Sequence, residues 1–202
     1  AASDVYKRQN STIVATALDF RLDTRHADFT NCLRASTTAL LSALDAVKAG
    51  TAKSALVTTA DMRLGGAAGD NEQYFGDGAA ALLLGNEKVI AEIEASYTIS
   101  DDMADNWRAH DDTFVRTWEE RFGLDEGYRK VPAEAAASVI KNCKLTPKDF
   151  AKACFYGPYT RRHAELGRAM GFEPAQIQDP LLDAVGNTGV ALPLMVLVGA
   201  LE

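Results

Sequence analysis

Apolar residues recur at helical spacing in several stretches of the chain. The clearest is residues 32–49, which ends at Gly50, a common C-terminal stop for helices. Its apolar positions return every three or four residues: Leu33, Leu40, Leu41, Leu44 and Val47. The same spacing and stop signals predict helical structure in five further stretches: 11–20, 101–129, 133–143, 159–170 and 190–201.

Shorter apolar or alternating runs, bounded by turn residues, predict the strands 27–30, 54–60, 79–84, 89–97 and 153–156. Strands that alternate with helices predict an α/β fold with a mostly parallel sheet, covered on both faces. The charged and aromatic stretch 101–131 is interpreted as an insert or boundary between a first unit, 10–100, and a second unit, 132–202.

Composition narrows the class of protein. The 202 residues carry a net charge of −7, with 47% hydrophobic and 24% charged residues, which is ordinary globular usage and excludes a disordered chain. The acidic balance argues against nucleic-acid or membrane partners, and the apolar run 190–201 is shorter than the roughly 20 residues of a membrane span. Three cysteines favour a reducing, cytoplasmic location. Because the sequence begins without Met and stops inside a predicted helix, we expect a fragment of a longer protein.

Cys32 is the strongest candidate for chemistry, because it lies where a predicted strand meets a long predicted helix. Backbone N–H groups and the helix dipole at such a position stabilise a thiolate, and a thiolate is a nucleophile. The alternative is a buried structural cysteine, since free cysteines are among the most buried residues.

Two glycine-containing segments are the next candidates. Gly76, Asp77 and Gly78 precede an apolar run, which predicts either a tight turn passing very close to another segment or an ordinary turn. In the second segment, Asn187 either caps the following helix or directs its amide toward a thioester oxygen as part of an oxyanion hole.

The histidines do not indicate a metal site. None of His26, His110 and His163 stands beside a second ligand at metal-binding spacing, so we predict no zinc site. Each is interpreted as a surface or hydrogen-bonded histidine.

Taken in order, these motifs resemble the thiolase superfamily, and within it the branch that holds HMG-CoA synthase and ketoacyl-ACP synthase III. The resemblance spans about residues 11–202. The matching features are a cysteine at the start of a buried helix, a strand ending in an acid, a Gly-Asp-Gly-Ala-Ala-Ala stretch and a Gly-Asn-Thr segment: Cys32, 56–61, 76–81 and 186–188. The stretch 107–128 resembles prokaryotic HMG-CoA-synthase-like proteins more than the fatty-acid enzymes of the branch.

The resemblance implies a fold of two βαβαβ-type halves in a layered αβαβα arrangement, here incomplete. It implies a homodimer, alone or within a complex with a thiolase, and a partner that is acyl-CoA or acyl carrier protein. It also implies acyl transfer with no cofactor beyond the acyl-CoA substrate. Cys32 would form an acyl-enzyme, and a carbon nucleophile from a second acyl thioester would take the acyl group.

The resemblance also assigns roles to residues. Asn187 occupies the position of the active-site Asn of the family, and Tyr156 stands where the family places a catalytic His. The implied substrate-binding residues are Gly157, Gly186 and Thr188, and those beside the site are Gly76, Asp77 and Gly78. Two functions follow: a condensing acyltransferase, or a non-catalytic partner subunit of the same fold. Tyr156 in place of His and the bulky pair Leu33 and Arg34 favour the second.

Overall fold

The structure is a computed structural model that describes residues 9–30, 32–103, 106–109 and 111–202. His110, one of the three histidines considered above, lies outside these ranges. Within them, no helix combines the length and the apolar character needed to cross a membrane.

Eight α-helices occur in the described ranges: α1 Asn10–Ala17, α2 Ala35–Lys48, α3 Asp70–Tyr74, α4 Glu120–Phe122, α5 Lys130–Asn142, α6 Thr160–Ala169, α7 Leu182–Val185 and α8 Leu192–Leu201. A π-helical turn spans Gly123–Tyr128, and 3-10 turns span Pro147–Asp149 and Gly189–Ala191. The predicted helices near α1, α2, α5, α6 and α8 are therefore confirmed, with ends shifted by a few residues.

The main sheet consists of β1, Ser54–Asp61, and β2, Gly78–Gly85. They pair antiparallel along their whole length, from Ser54 opposite Gly85 to Asp61 opposite Gly78. The predicted mostly parallel arrangement is therefore wrong for the strands that the structure describes. The connection between them, residues 62–77, contains only the five-residue helix α3, and it returns the chain antiparallel beside β1.

Other strand predictions are also wrong. Residues 27–30 and 89–97 are irregular, and Ala153 forms only an isolated parallel bridge to Ile177. Alternating hydrophobicity marks a half-buried strand only when a neighbour completes the ladder, and Ile90 is instead 88% exposed. The stretch 101–129 is not mainly helical: two-residue strands β3 (Asn106–Trp107) and β4 (Arg116–Thr117) pair before the short helical turns.

The β1–β2 sheet is covered on one face only. Val57 and Thr59 are buried on the face that packs against α2 and α8. The opposite face is open, with Leu83 of β2 76% exposed. The covered face positions the candidate site, because the Gly189–Ala191 turn contacts both strands and α8 contacts β2.

A second core lies between α5, α6 and the segment around Ala153. Ile140 and Phe172 are buried there together with Ala153, and Phe150 meets Phe172 edge to face. The backbone N–H of Ala153 donates to the Gln176 carbonyl at 2.7 Å, and the Ala153 carbonyl accepts from Gln178 at 3.1 Å. These bonds fix the short segment that leads into Tyr156. The division into 10–100, 101–131 and 132–202 stays a prediction.

Candidate active site

Asn187 lies at the centre of a buried polar cluster, where two glycine-containing segments run side by side. Its backbone N–H donates to the Tyr74 carbonyl at 2.6 Å, and its carbonyl accepts from the Gly76 N–H at 3.2 Å. Phe75 and Asn187 thereby form a parallel bridge. The side chain of Asn187 is 3% exposed, so its polar atoms need partners inside the protein.

Small residues allow this close approach. A Cβ atom on Gly76 would overlap the carbonyl oxygen of Val185, and one on Gly78 would lie 2.7 Å from Thr188 Cγ2. Gly186 has a φ of +73°, a left-handed conformation that glycine adopts without strain. The turn containing Gly76 and Gly78 therefore passes against another segment, and the alternative of an ordinary turn is wrong.

The side chain of Asn187 is hydrogen-bonded at both ends. Its Oδ1 atom accepts from the Gly189 backbone N–H at 3.0 Å and from Nη2 of Arg63 in a short bond. Its Nδ2 group donates to the Tyr156 hydroxyl oxygen at 2.8 Å. The oxygen of Asn187 therefore caps the turn before α8, which is one of the two alternatives drawn from the sequence. Its amide nitrogen donates to Tyr156, and the role in an oxyanion hole stays a prediction.

Arg63 is a member of the cluster that the sequence reasoning missed. Its side chain is 8% exposed, its guanidinium lies 4.3 Å above the centre of the Phe75 ring, and its Nε is 3.7 Å from Asp61 Oδ2. The same Asp61 oxygen accepts from the Val190 N–H at 3.0 Å. The available signal was a cation two positions beyond the acid that ends β1.

Tyr156 is half-buried and meets the cluster through its hydroxyl group, at Asn187 Nδ2. Its carbonyl accepts from the Tyr128 hydroxyl at 3.0 Å, and the two rings meet edge to face at 6.3 Å. Burial is the largest cause that raises the pKa of Tyr128, so this phenol stays protonated and keeps donating. The insert segment thus holds the backbone of Tyr156 in place.

His163 packs against the residues on either side of Tyr156. It is 1% exposed and stacks on Phe155, with ring centres 4.1 Å apart, and a Cβ atom on Gly157 would lie 2.7 Å from His163 Cβ. Burial is the largest cause that lowers the pKa of His163, to about 4, although its hydrogen bond to the Phe155 backbone and the charge of Asp179 act in the opposite direction. A neutral histidine in this position is a packing element of the segment.

The remaining predicted site residues divide between packed and open positions. Thr188 is 0% exposed, and its hydroxyl donates to the Met195 sulfur at 3.4 Å. Gly157 is also buried, whereas the side chain of Asp77 is exposed. Across the described ranges, no group of three His, Cys, Asp or Glu residues is placed to hold a metal ion.

Cys32 is exposed, which differs from the predicted position at the start of a buried helix. Its carbonyl accepts from the Ala35 N–H at 3.1 Å in the turn that leads into α2, and α2 begins only at Ala35. The first buried positions of this helix are Ala35 and Ser36. The turn therefore leaves the thiol accessible, and the alternative of a buried structural cysteine is wrong.

Comparisons with known proteins agree with the resemblance drawn from the motifs. The chain is 32% identical to the hydroxymethylglutaryl-CoA synthase of Methanopyrus kandleri over 197 residues, 96% of this chain and 56% of that protein. It is 30% identical to the synthase of Pyrococcus horikoshii over 184 residues, 90% of this chain and 52% of that protein. The chain spans about half the length of the curated relatives it matches. No protein-family model matches it.

Solved structures give the fold. A crystal structure of HMG-CoA synthase complexed with CoA matches 98% of this chain and 54% of its own, with a TM-score of 0.84 and 19% identity. The 3-oxoacyl-(acyl carrier protein) synthase III of Pseudomonas aeruginosa PAO1 matches 98% of this chain and 64% of its own, with a TM-score of 0.84 and 19% identity. The chain therefore has a thiolase-like α/β fold. Its resemblance to the HMG-CoA synthase and ketoacyl-ACP synthase III branch is confirmed.

Proposed function

We propose that this protein is an acyl-CoA-dependent C-acyltransferase of the HMG-CoA synthase or 3-oxoacyl synthase type, with Cys32 as the nucleophile. The observation that carries the proposal is the 2.8 Å hydrogen bond from Asn187 Nδ2 to the Tyr156 hydroxyl. These side chains stand at two positions that the resemblance assigns to the active site, and they are 31 residues apart in sequence. Similarity to curated HMG-CoA synthases over 96% of the chain supports the same reaction class.

The first step is transfer of an acyl group from CoA to Cys32. The Cys32 sulfur attacks the thioester carbonyl carbon, a new C–S bond forms, and the bond to the CoA sulfur breaks. The proton of the Cys32 thiol ends on the CoA thiol that leaves. Exposure of Cys32 supports access by an acyl thioester.

The second step forms a carbon–carbon bond. The α-carbon of a second acyl thioester, after losing a proton to a base, attacks the acyl carbonyl carbon on Cys32. The bond to the Cys32 sulfur then breaks, and the sulfur takes up a proton. Both steps develop negative charge on a carbonyl oxygen, so a directed hydrogen-bond donor accelerates them.

Tyr156 is suited to donation rather than to proton abstraction. Its hydroxyl oxygen accepts from Asn187 Nδ2 at 2.8 Å, so the two side chains act as one polar pair. A phenol with an ordinary pKa of about 10 is a poor base at neutral pH. We therefore propose Tyr156 and Asn187 as a polar pair that stabilises the thioester oxygen. Gly157, Gly186 and Thr188 would shape the binding pocket around this pair.

A second candidate function is a non-catalytic partner subunit of an acyl-transfer complex. One observation favours it: Tyr156 replaces the histidine of the family, and His163 is 1% exposed, stacked on Phe155 and held neutral by burial. His163 is therefore unsuited to replace the absent base. In this alternative, Cys32 is accessible but does not react with acyl thioesters.

Acylation of Cys32 separates the two functions. The purified protein is incubated with acetyl-CoA and examined by intact mass, and peptide mapping then locates the adduct. The proposal expects one acetyl group on Cys32, released by hydroxylamine, absent in Cys32→Ala and retained in the matched variants Cys143→Ala and Cys154→Ala. A folded protein that forms no adduct with acetyl-CoA or longer acyl-CoAs would overturn it and support the partner subunit.

The proposal includes the partners of the protein. We propose that it acts in the cytoplasm as a homodimer, on acyl-CoA or acyl carrier protein, alone or with a thiolase. Size-exclusion chromatography with light scattering tests the dimer, and a monomer that retains full acyl transfer would contradict it.

A further inference from the structure

We propose that Arg63 is a positioning residue: its guanidinium fixes the orientation of the Asn187 amide, so that Nδ2 faces Tyr156. This inference rests on the proposed function, because it names the residue that prepares the polar pair for acyl transfer. Arg63 acts through Asn187 and Tyr156, so it is distinct from the groups proposed to touch the thioester.

The donors around Asn187 determine which way its amide points. Nη2 of Arg63 and the backbone N–H of Gly189 both face the same end of the amide. Neither group can accept a hydrogen bond, so only the carbonyl oxygen Oδ1 fits against them. A flipped amide would place two N–H hydrogens against two donors. The only consistent orientation therefore directs Nδ2 at the Tyr156 oxygen, 2.8 Å away.

Arg63 holds both the backbone and the side chain of Asn187. The same Nη2 atom donates to the Asn187 carbonyl at 3.1 Å as well as to Oδ1. The guanidinium is itself held between Asp61 on one side and the Phe75 ring on another.

The other guanidinium nitrogens of Arg63 indicate that folding stability alone does not explain why an arginine occupies this buried position. Its Nε and Nη1 atoms are buried and make no hydrogen bond to the described residues. Burying donors without acceptors costs free energy, so an apolar side chain would fill this space at lower cost. The one nitrogen that is fully used, Nη2, is the one that fixes Asn187.

The first test measures the rate of acyl transfer in three variants. Arg63→Met keeps an unbranched stem but removes every donor, and we expect kcat to fall about 10- to 100-fold with KM within about 3-fold, as for a misplaced catalytic group. Arg63→Lys keeps a cationic donor and is expected to recover part of kcat. The exposed Arg161 provides the matched control, so Arg161→Met should retain the wild-type rate. In an Asn187→Ala background, Arg63→Met should cause no further loss.

The second test does not depend on activity. In ¹⁵N-labelled protein, the side-chain NH₂ resonances of Asn187 are assigned by their loss in Asn187→Ala, and their exchange with water is measured. We expect slow exchange in wild type and in Arg161→Met, faster exchange in Arg63→Met, and partial recovery in Arg63→Lys.

The two tests separate failure of this inference from failure of the proposed function. Unchanged amide exchange in Arg63→Met, or unchanged kcat in a protein that acylates Cys32, would overturn the positioning role and leave the acyltransferase standing. Absence of a Cys32 adduct in wild type would overturn the acyltransferase, and the exchange experiment would still decide the role of Arg63. If Arg63→Met does not fold, Arg63→Lys is compared with wild type in both measurements.

Discussion

Cys32 and Asn187 lie in two regions that differ most in how they are packed. Cys32 is exposed on a turn before α2, whereas Asn187 is 3% exposed and is hydrogen-bonded at both ends of its amide. The difference follows from what the proposed chemistry asks of each group. A nucleophile has to be reached by its substrate, while a donor that stabilises developing charge has to be fixed before the reaction begins.

Cys32 and Asn187 also differ in how much each contributes to folding stability. Cys32 is exposed, and substitutions at exposed positions usually change stability little. Asn187 instead joins the turn before α8, the cation Arg63 and the segment of Tyr156. Substitutions should therefore separate activity from stability at Cys32 and affect both at Asn187.

The largest expected effect is the loss of acyl transfer in Cys32→Ala. Without the sulfur no acyl-enzyme forms, so transfer should disappear, while the free energy of unfolding stays within about 0.5 kcal/mol of wild type. Single-turnover assays and urea unfolding measure the two quantities. Retained transfer would remove Cys32 from the mechanism, and a large loss of stability would contradict its exposed position.

Asn187→Ala should destabilise the protein by removing the centre of the buried polar cluster. The change leaves the Arg63 guanidinium buried without its main acceptor and removes the cap at Gly189 N, so we expect a loss of about 3–5 kcal/mol in unfolding free energy. Urea unfolding at neutral pH measures it. A loss below about 1 kcal/mol would mean that the cluster contributes little to the fold.

Lowering the pH should reduce the free energy of unfolding through protonation of His163. Its pKa is about 4 when folded and about 6.5 when unfolded, so the unfolded chain binds its proton first as pH falls. The stability that the neutral form provides is full above pH 6.5, declines between 6.5 and 4, and is lost below 4, a change of about 3 kcal/mol.

The control for this pH dependence is a variant that does not titrate. His163→Phe keeps a ring beside Phe155, and its unfolding free energy should lose this component of the slope between pH 6.5 and 4. Carboxylates contribute their own acid dependence, which cancels in the difference between the two proteins. Equal slopes would show that His163 is not held neutral by the fold.

Gly76→Ala should produce the smallest of these effects and tests the contact between the two segments. The new Cβ would overlap the Val185 carbonyl oxygen, and relief of that overlap should cost about 1–3 kcal/mol of unfolding free energy. The matched control is Gly66→Ala, where a Cβ meets nothing within 4 Å. If both variants unfold at the same urea concentration, the close approach of the two segments is not as described.

The elements that the sequence predicted correctly are those with a local signature. The helix over 159–170 was recognised from its spacing and from Gly171, which has a φ of +90° after α6. The strand near 54–60 was recognised from a short apolar run between polar turns. The stretch 89–97 has an equally clear alternation and forms no strand, because no neighbouring segment pairs with it among the described residues.

The candidate site also contains residues that local sequence patterns reveal and one residue that only a tertiary contact reveals. Motifs point to Cys32 and Asn187, and the family resemblance points to Tyr156, whereas a single arginine after a strand, such as Arg63, has no distinctive pattern. Its importance arises from a contact with Asn187 across 124 residues of chain. The polar pair itself was named residue by residue, but its hydrogen bond was not predicted.

The sequence by itself determined five of the helices (α1, α2, α5, α6 and α8), the two paired strands and the resemblance to thiolase-like enzymes. Helical periodicity, caps and glycine turns depend on residues a few positions apart, so they can be recognised along the chain. Tertiary structure alone decided that β1 and β2 pair antiparallel, that Cys32 is exposed and that Arg63 donates to Asn187. These features depend on pairing, burial and hydrogen bonds between distant segments, and no local pattern records which segments meet.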